Sequence, residues 1–170
     1  ADGKLFVAAV DERTVHALDA ETGDPMWSYT TGGRVDSPPT IHQGRAIFGS
    51  ADGHVYCLRA SDGALSWRFR DLPDKLLCAF DQLESAWPVH GSVLVRDGVV
   101  QCVAGRSSYL EGSIRLVRLD AESGKLLSET VVDHRDPQTG YQAKGVVRGT
   151  NMPGALPDVL SCDGQSVYMR

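Results

Sequence analysis

The side chains able to act on a ligand are scattered through this sequence, and few fall at a spacing that chemistry requires. Asp81 and Glu84 stand close enough for two carboxylates to share a calcium ion or divide acid and base work. A solvated loop or a short helix cap accounts for the pair equally well. His16, His42, His54, His90 and His134 are isolated from one another, and no HExxH, nucleophile-elbow serine or phosphate-cradling glycine loop is present. Gly145 to Gly149 reads as an ordinary loop. Cys57, Cys78, Cys102 and Cys162 show neither CxxC spacing nor an adjacent pair, so the usual zinc and redox signatures are missing. Cys57 and Cys102 lie in apolar runs and read as buried thiols, while spacing leaves any disulfide unassigned. No catalytic residue and no metal ligand follows from these patterns.

The elements that must position such residues show themselves as a repeat. Ala17-Leu18-Asp19-Ala20-Glu21-Thr22-Gly23 through Trp27 recurs as Cys57-Leu58-Arg59-Ala60-Ser61-Asp62-Gly63 through Trp67, an offset of about 40 residues. A third copy runs from Arg118-Leu119-Asp120-Ala121-Glu122-Ser123-Gly124 into Lys125-Leu126-Leu127. A second landmark, a glycine turn before a strand, falls at Asp2-Gly3, Gln43-Gly44, Asp97-Gly98 and Asp163-Gly164.

In the most regular copy, Pro38 to His42, Ala46 to Ser50, His54 to Arg59 and Leu65 to Arg70 are β-rich runs separated by glycine turns. Four-stranded units of about forty residues, each unable to bury both faces alone, describe propeller blades. Asp19 and Asp120 are placed to accept amide hydrogen bonds within their turns, where Gly23, Gly63 and Gly124 supply positive φ. Trp27 and Trp67 give one large ring per blade to fill the gap to a neighbour. The third blade offers only Leu127 or Ser128 there, and should dock less tightly.

These runs resemble the pyrroloquinoline-quinone (PQQ)-like repeat with its tryptophan-docking motif. The resemblance implies a propeller of the quinoprotein alcohol dehydrogenase type, also found in the lipoprotein of the bacterial outer-membrane β-barrel assembly machinery. Asp81 to Val89 and Ala104 to Tyr109 are similar to bacterial envelope proteins of this repeat type. A periplasmic or cell-envelope location is implied by the same resemblance. Arg59 in place of the usual aspartate and the missing third tryptophan depart from the pattern.

The expected fold is all-β: a propeller fragment of a little over three four-stranded antiparallel blades, about thirteen strands, from a seven- or eight-bladed propeller. Blade repeats are placed at about 1–37, 38–88, 89–155 and an incomplete 156–170. The absence of an initial methionine fits a piece whose export signal lies upstream, and the remaining blades of the same chain are its expected neighbours.

Composition narrows the function. At 42% hydrophobic and 23% charged residues, with a net charge of -5, the chain reads as globular and acidic. Lysine and arginine are scattered, which argues against a nucleic-acid footprint, and no apolar run is long enough for a transmembrane segment.

Successive glycine landmarks lie about 41, 54 and 66 residues apart, so the later repeats carry inserted segments. These fall at Asp71 to Trp87, Gly105 to Gly112 and Asp133 to Ala155. Strand direction puts all three on one face of the disc, the candidate binding surface. Its candidate residues are Asp81, Glu84, Trp87, Arg106, Tyr109 and Arg148, with Arg135, Tyr141, Lys144 and Asn151 nearby. The sequence thus points to a non-catalytic scaffold that holds a protein or carbohydrate partner, with no cofactor evident. The alternative, part of a PQQ-dependent dehydrogenase, requires a quinone, calcium and a catalytic aspartate, and the cysteine pair found in such enzymes is absent here.

Overall fold

A computed structural model of the chain describes residues 1–79, 81–109, 113–141, 157 and 159–169. The described residues form strands and turns, and none of their helices is long and apolar enough to cross a membrane. The first sheet holds β1 (Lys4–Ala9), β2 (Thr14–Asp19) and β3 (Pro25–Thr30). The second holds β4 (Thr40–His42), β5 (Arg45–Gly49), β6 (Val55–Arg59) and β7 (Leu65–Phe69). A hairpin of β8 (Leu76–Ala79) and β9 (Gln82–Ser85) precedes the third sheet. That sheet holds β10 (Leu94–Arg96), β11 (Val99–Ala104), β12 (Ile114–Asp120) and β13 (Leu126–Val132), and a last hairpin pairs β14 (Ser161–Cys162) with β15 (Val167–Tyr168). Every pairing is antiparallel and sequential. This is the up-and-down order of propeller blades. The expected strand count missed β8 and β9, which lie in a stretch read as loop.

Burial follows position within the sheet. Ile47, Phe48, Val55, Tyr56, Cys57 and Leu58 of β5 and β6 are all buried, because sheets cover both faces of the middle strands. The outer strands β3, β7 and β13 are largely exposed. Apolar clusters lie between consecutive sheets: Val15, Val35 and Phe48 join the first to the second, and Ile47, Val55, Val100 and Leu119 the second to the third.

The turns alternate between two designs. The inner turns at Asp2-Gly3, Gln43-Gly44 and Asp97-Gly98 have positive φ at both residues, the geometry of two-residue hairpins matched to strand twist. In the outer turn, Asp19 Oδ1 accepts the amides of Glu21 (2.9 Å) and Thr22 (3.0 Å), and the Gly23 amide donates to the Asp19 carbonyl (2.9 Å). Those amides hold the Asp19 carboxyl below its ordinary value. Each outer turn is tied to its own inner turn, since the amides of Ala20, Ala60 and Ala121 donate to the carbonyls of Gly3, Gly44 and Gly98.

A single clasp then joins blade to blade. Trp27 Nε1 donates to the Ala60 carbonyl and Trp67 Nε1 to the Ala121 carbonyl, each at 3.2 Å. Each indole lies over the glycine of the same turn: a Cβ on Gly63 would sit 2.7 Å from Trp27, and one on Gly124 2.6 Å from Trp67. A bulge after the turn shifts the register so that Trp27 pairs with Ala17 and Trp67 with Cys57. Bulges of this kind re-aim a side chain, here toward the next blade. In the third sheet the equivalent residue is Ser128, paired with Arg118. A cavity of about 310 Å³ opens there, lined by Leu116, Ser128, Thr130, Leu160, Val167 and Met169.

Gly44 and Gly63 share the left-handed backbone (φ 71° and 74°), but only Gly63 faces a ring. Gly44→Ala is therefore expected to cost about 1 kcal/mol, the backbone penalty alone. Gly63→Ala should cost about 3 kcal/mol, because displacing Trp27 adds to it. Urea unfolding of both variants measures the difference.

Candidate functional site

The candidate face is built by backbone hydrogen bonds between the connections that emerge on it. The Ala51 amide, in the β5–β6 loop, donates to the Arg34 carbonyl, and the Ala51 carbonyl accepts from the Ser85 amide, both at 2.8 Å. Val89 N donates to the Ser50 carbonyl and Gly105 N to the Pro88 carbonyl, both at 3.0 Å. His134 N closes the series on the Ser108 carbonyl at 3.3 Å. Loops on this face are therefore joined to one another in a layer through backbone hydrogen bonds.

Under that layer lies a buried charge cluster. Glu84, with no solvent exposure, takes Arg34 on Oε1 at 2.7 Å and Arg106 on Oε2 at 2.8 Å. Asp36 meets His90 Nδ1 at 2.5 Å and Arg34 at 3.8 Å. The His90 hydrogen bond, with Arg34 adding to it, holds the Asp36 carboxyl below its ordinary value against the opposing effect of burial. Its stabilising contribution is thus complete above the ordinary carboxylate range and disappears as pH falls through the lowered native value. The cluster joins the connection after β3, the hairpin β8–β9 and the β11–β12 loop.

These contacts revise the role of several residues singled out in the sequence. Asp81 is at the exposed tip of the β8–β9 hairpin with φ 59°, while Glu84 is buried behind it, so the two carboxylates do not form a shared ligand set. Trp87 is 7% exposed and packs in the core, so it is not available as a surface anchor. Arg106 is spent on Glu84. Tyr109 stacks on His134 with ring centroids 4.4 Å apart. Arg148, Lys144 and Asn151 lie outside the described residues. Trp27, Trp67, Asp19, Gly23, Gly63, Asp120 and Gly124 occupy the outer turns and clasps of the repeat, on the opposite face.

The exposed chemistry of the face lies elsewhere, in a groove of about 530 Å³ between the first and second sheets and the hairpin β8–β9. Leu76 (53% exposed) and Leu83 (64% exposed) form its apolar side. Tyr29, Arg13 and Arg68 line the rest, and among the described residues neither arginine side chain has a hydrogen-bond or ion-pair partner. At the floor, Tyr56 Oη donates to Asp52 Oδ2 at 2.6 Å. Burial would raise the Asp52 carboxyl, but hydrogen bonds from His54 and Tyr56 outweigh it and leave it lowered. Sequence reasoning missed this groove because Arg13, Arg68 and Leu83 sit in three separate elements. Its one sequence signal is Leu83, apolar beside Asp81-Gln82.

Residues 1–151 match the family described as outer membrane protein assembly factor BamB. The chain belongs to that family. Curated BamB relatives include those of Xanthomonas campestris pv. campestris, 30% identical over 46% of this chain and 21% of the relative, and of Moranella endobia, 30% identical over 38% and 17%. The chain thus spans about a fifth of the length of the BamB proteins it matches. Among solved structures it is similar to the quinohemoprotein alcohol dehydrogenase of Comamonas testosteroni, with a TM-score of 0.66, 23% identity and coverage of 81% of this chain and 21% of the enzyme. The computationally designed Ika4 protein is similar over 98% of this chain and 78% of its own, with a TM-score of 0.60 and 15% identity. At such identity these structures share the propeller fold alone.

A calcium-held quinone does not fit the residues described. Three acidic groups of the face are engaged internally: Glu84 by two arginines, Asp36 by His90, Asp52 by Tyr56 and His54. Among the described residues no three His, Cys, Asp or Glu side chains converge on one point. Burial pushes the thiols of Cys57 and Cys102 up to about 11 and about 12, which keeps both protonated at neutral pH.

Removing Glu84 would leave two part-buried guanidinium groups facing each other. Glu84→Ala should therefore destabilise the chain by about 3–5 kcal/mol. Asp81→Ala, at an exposed tip, should cost no more than about 1 kcal/mol, the left-handed backbone penalty alone. Thermal and chemical unfolding of the two variants tests the contrast.

Proposed function

We propose that this chain is part of a non-catalytic propeller of the bacterial cell envelope, which holds a protein partner on its long-loop face. The observation that carries this reading is the groove: two arginines without partners among the described residues, a tyrosine and two exposed leucines brought together on one loop layer. Arginine and aromatic side chains are the types that most often anchor protein interfaces. The complementary surface is an apolar segment bearing carboxylates, which Arg13 and Arg68 would pair. Leu76 and Leu83 favour a protein over a carbohydrate, because they offer aliphatic contact and no hydrogen bonds. Membership in the family of outer membrane protein assembly factor BamB supports both the envelope location and the binding role. The internal pairing of the acidic groups supports a binding role over quinone-dependent oxidation.

A photo-crosslinking residue at position 83 of the full-length protein in cells is expected to capture a discrete envelope protein, and one at position 97, on the opposite face, to capture none. With that partner purified, Leu83→Asp or Arg68→Glu should weaken binding about thirtyfold, the loss of roughly 2 kcal/mol typical of an interface anchor. Unchanged binding in both variants would overturn the reading. So would reduction of a dye by the protein supplied with alcohol, quinone and calcium.

A further inference from the structure

One feature of the repeat occurs where no blade needs it. Asp136-Pro137-Gln138-Thr139-Gly140 repeats the order of Asp19-Ala20-Glu21-Thr22-Gly23, and the structure gives it the same hydrogen bonds. Asp136 Oδ1 accepts the amides of Gln138 (2.8 Å) and Thr139 (2.9 Å), and Gly140 N donates to the Asp136 carbonyl (2.8 Å). The Asp136 amide donates to the Tyr141 carbonyl (2.9 Å), as Asp19 does to Asp24 (2.8 Å). Gly140 has φ 70°, against 77°, 74° and 70° for Gly23, Gly63 and Gly124. This fourth turn follows β13 in a blade-to-blade connection, on the long-loop face, whereas the other three lie on the opposite face.

Two of the copies show what such a turn receives. At Gly63 and Gly124 an indole ring lies over the glycine and its N–H donates to the carbonyl of the turn's second residue. In the fourth copy the corresponding groups are Gly140 and the Pro137 carbonyl. Nothing lies within 4 Å of where a Gly140 Cβ would be, and among the described residues the Pro137 carbonyl accepts no hydrogen bond. Proline at the second position has a further consequence. Ala20, Ala60 and Ala121 use their amides to bind the turn to its own blade, and Pro137 has no amide hydrogen to do so. Residues 135 to 141 are all exposed, Tyr141 to 79%. Gly23 is open too, but it lies in the blade register of Gly63 and Gly124, whose rings come from an adjacent blade of the same propeller.

We propose that the turn Asp136–Tyr141 is a free tryptophan-docking site, which accepts the indole side chain of a partner protein on the long-loop face. Trp27, Trp67 and Trp87 do not supply the ring, because the first two fill the turns of the next blades and Trp87 is packed in the core; the exposure of the turn on the long-loop face favours a ring brought by a partner. The glycine provides a flat surface without a Cβ, the Pro137 carbonyl selects an N–H donor over phenylalanine, and Tyr141 stands beside the site. One ring alone binds weakly, with a dissociation constant on the order of 1 mM, since it must offset the full entropy of association. Within a larger interface the same contact acts as an anchor.

The test uses the full chain, isotope-labelled for amide NMR, titrated with N-acetyl-L-tryptophanamide and, separately, N-acetyl-L-alaninamide. Saturable shifts of the Gly140 and Gln138 amides are expected with the indole compound and not with the alanine one. Gly140→Val should abolish them while leaving the spectrum of the β-sheets intact, since residues 135 to 141 are exposed. Leu83→Asp should leave them unchanged, which separates this site from the groove. Equal shifts with both compounds, persistence of the shifts in Gly140→Val, or a response at Gly23 with none at Gly140 would each overturn the proposal.

Discussion

A four-stranded blade has two apolar faces and can cover neither by itself, and the contact that resolves this is the indole laid on a glycine of the next blade. Trp27 on Gly63 and Trp67 on Gly124 bring consecutive sheets into direct contact at the outer turn. The indole N–H, bonded to Ala60 or Ala121, fixes the ring in one orientation. Everything between the clasps follows: the buried rows of β5 and β6 face each neighbour at packing distance, and apolar clusters fill the gaps. A cavity lies beside Ser128, which stands where the other sheets carry the ring.

The clasps hold one face of the disc and thereby free the other for longer connections. Those connections are not loose. They bond to each other through Ala51, Ser85, Val89 and Gly105, and they enclose Glu84 between Arg34 and Arg106. Glu84 is enclosed and ion-paired to both arginines, which ties the connection after β3, the hairpin β8–β9 and the β11–β12 loop together. What the layer presents outward is different in kind: leucines on the hairpin β8–β9, arginines without partners among the described residues, and a further exposed copy of the repeat's turn.

The blades were legible in the sequence because their landmarks repeat. Asp19, Gly23 and Trp27 return as Arg59, Gly63 and Trp67, and physics ties each to a specific task in the turn. The hairpin β8–β9 was not legible, since Leu76 to Ser85 has no counterpart in the other copies and turns at Asp81, a non-glycine residue at positive φ. Glu84 and Trp87 looked like surface residues because they lie in an insertion. Glu84 is covered by Arg34 and Arg106, and Trp87 packs with Ile47, Val55 and Val100, all distant in sequence. Asp136 to Gly140 carried the turn signature in plain view, but no tryptophan and no regular strand followed it, so the pattern did not announce itself as part of the repeat.

The clasp itself is open to a direct energetic measurement, a double-mutant cycle on Trp67 and Gly124 in urea unfolding. If the ring and the glycine form one contact, Gly124→Ala should cost about 3 kcal/mol with Trp67 present and only about 1 kcal/mol, the left-handed backbone penalty, once Trp67→Ala has removed the ring. Additive costs, with Gly124→Ala equally damaging in both backgrounds, would contradict the claim that the indole–glycine contact joins the blades.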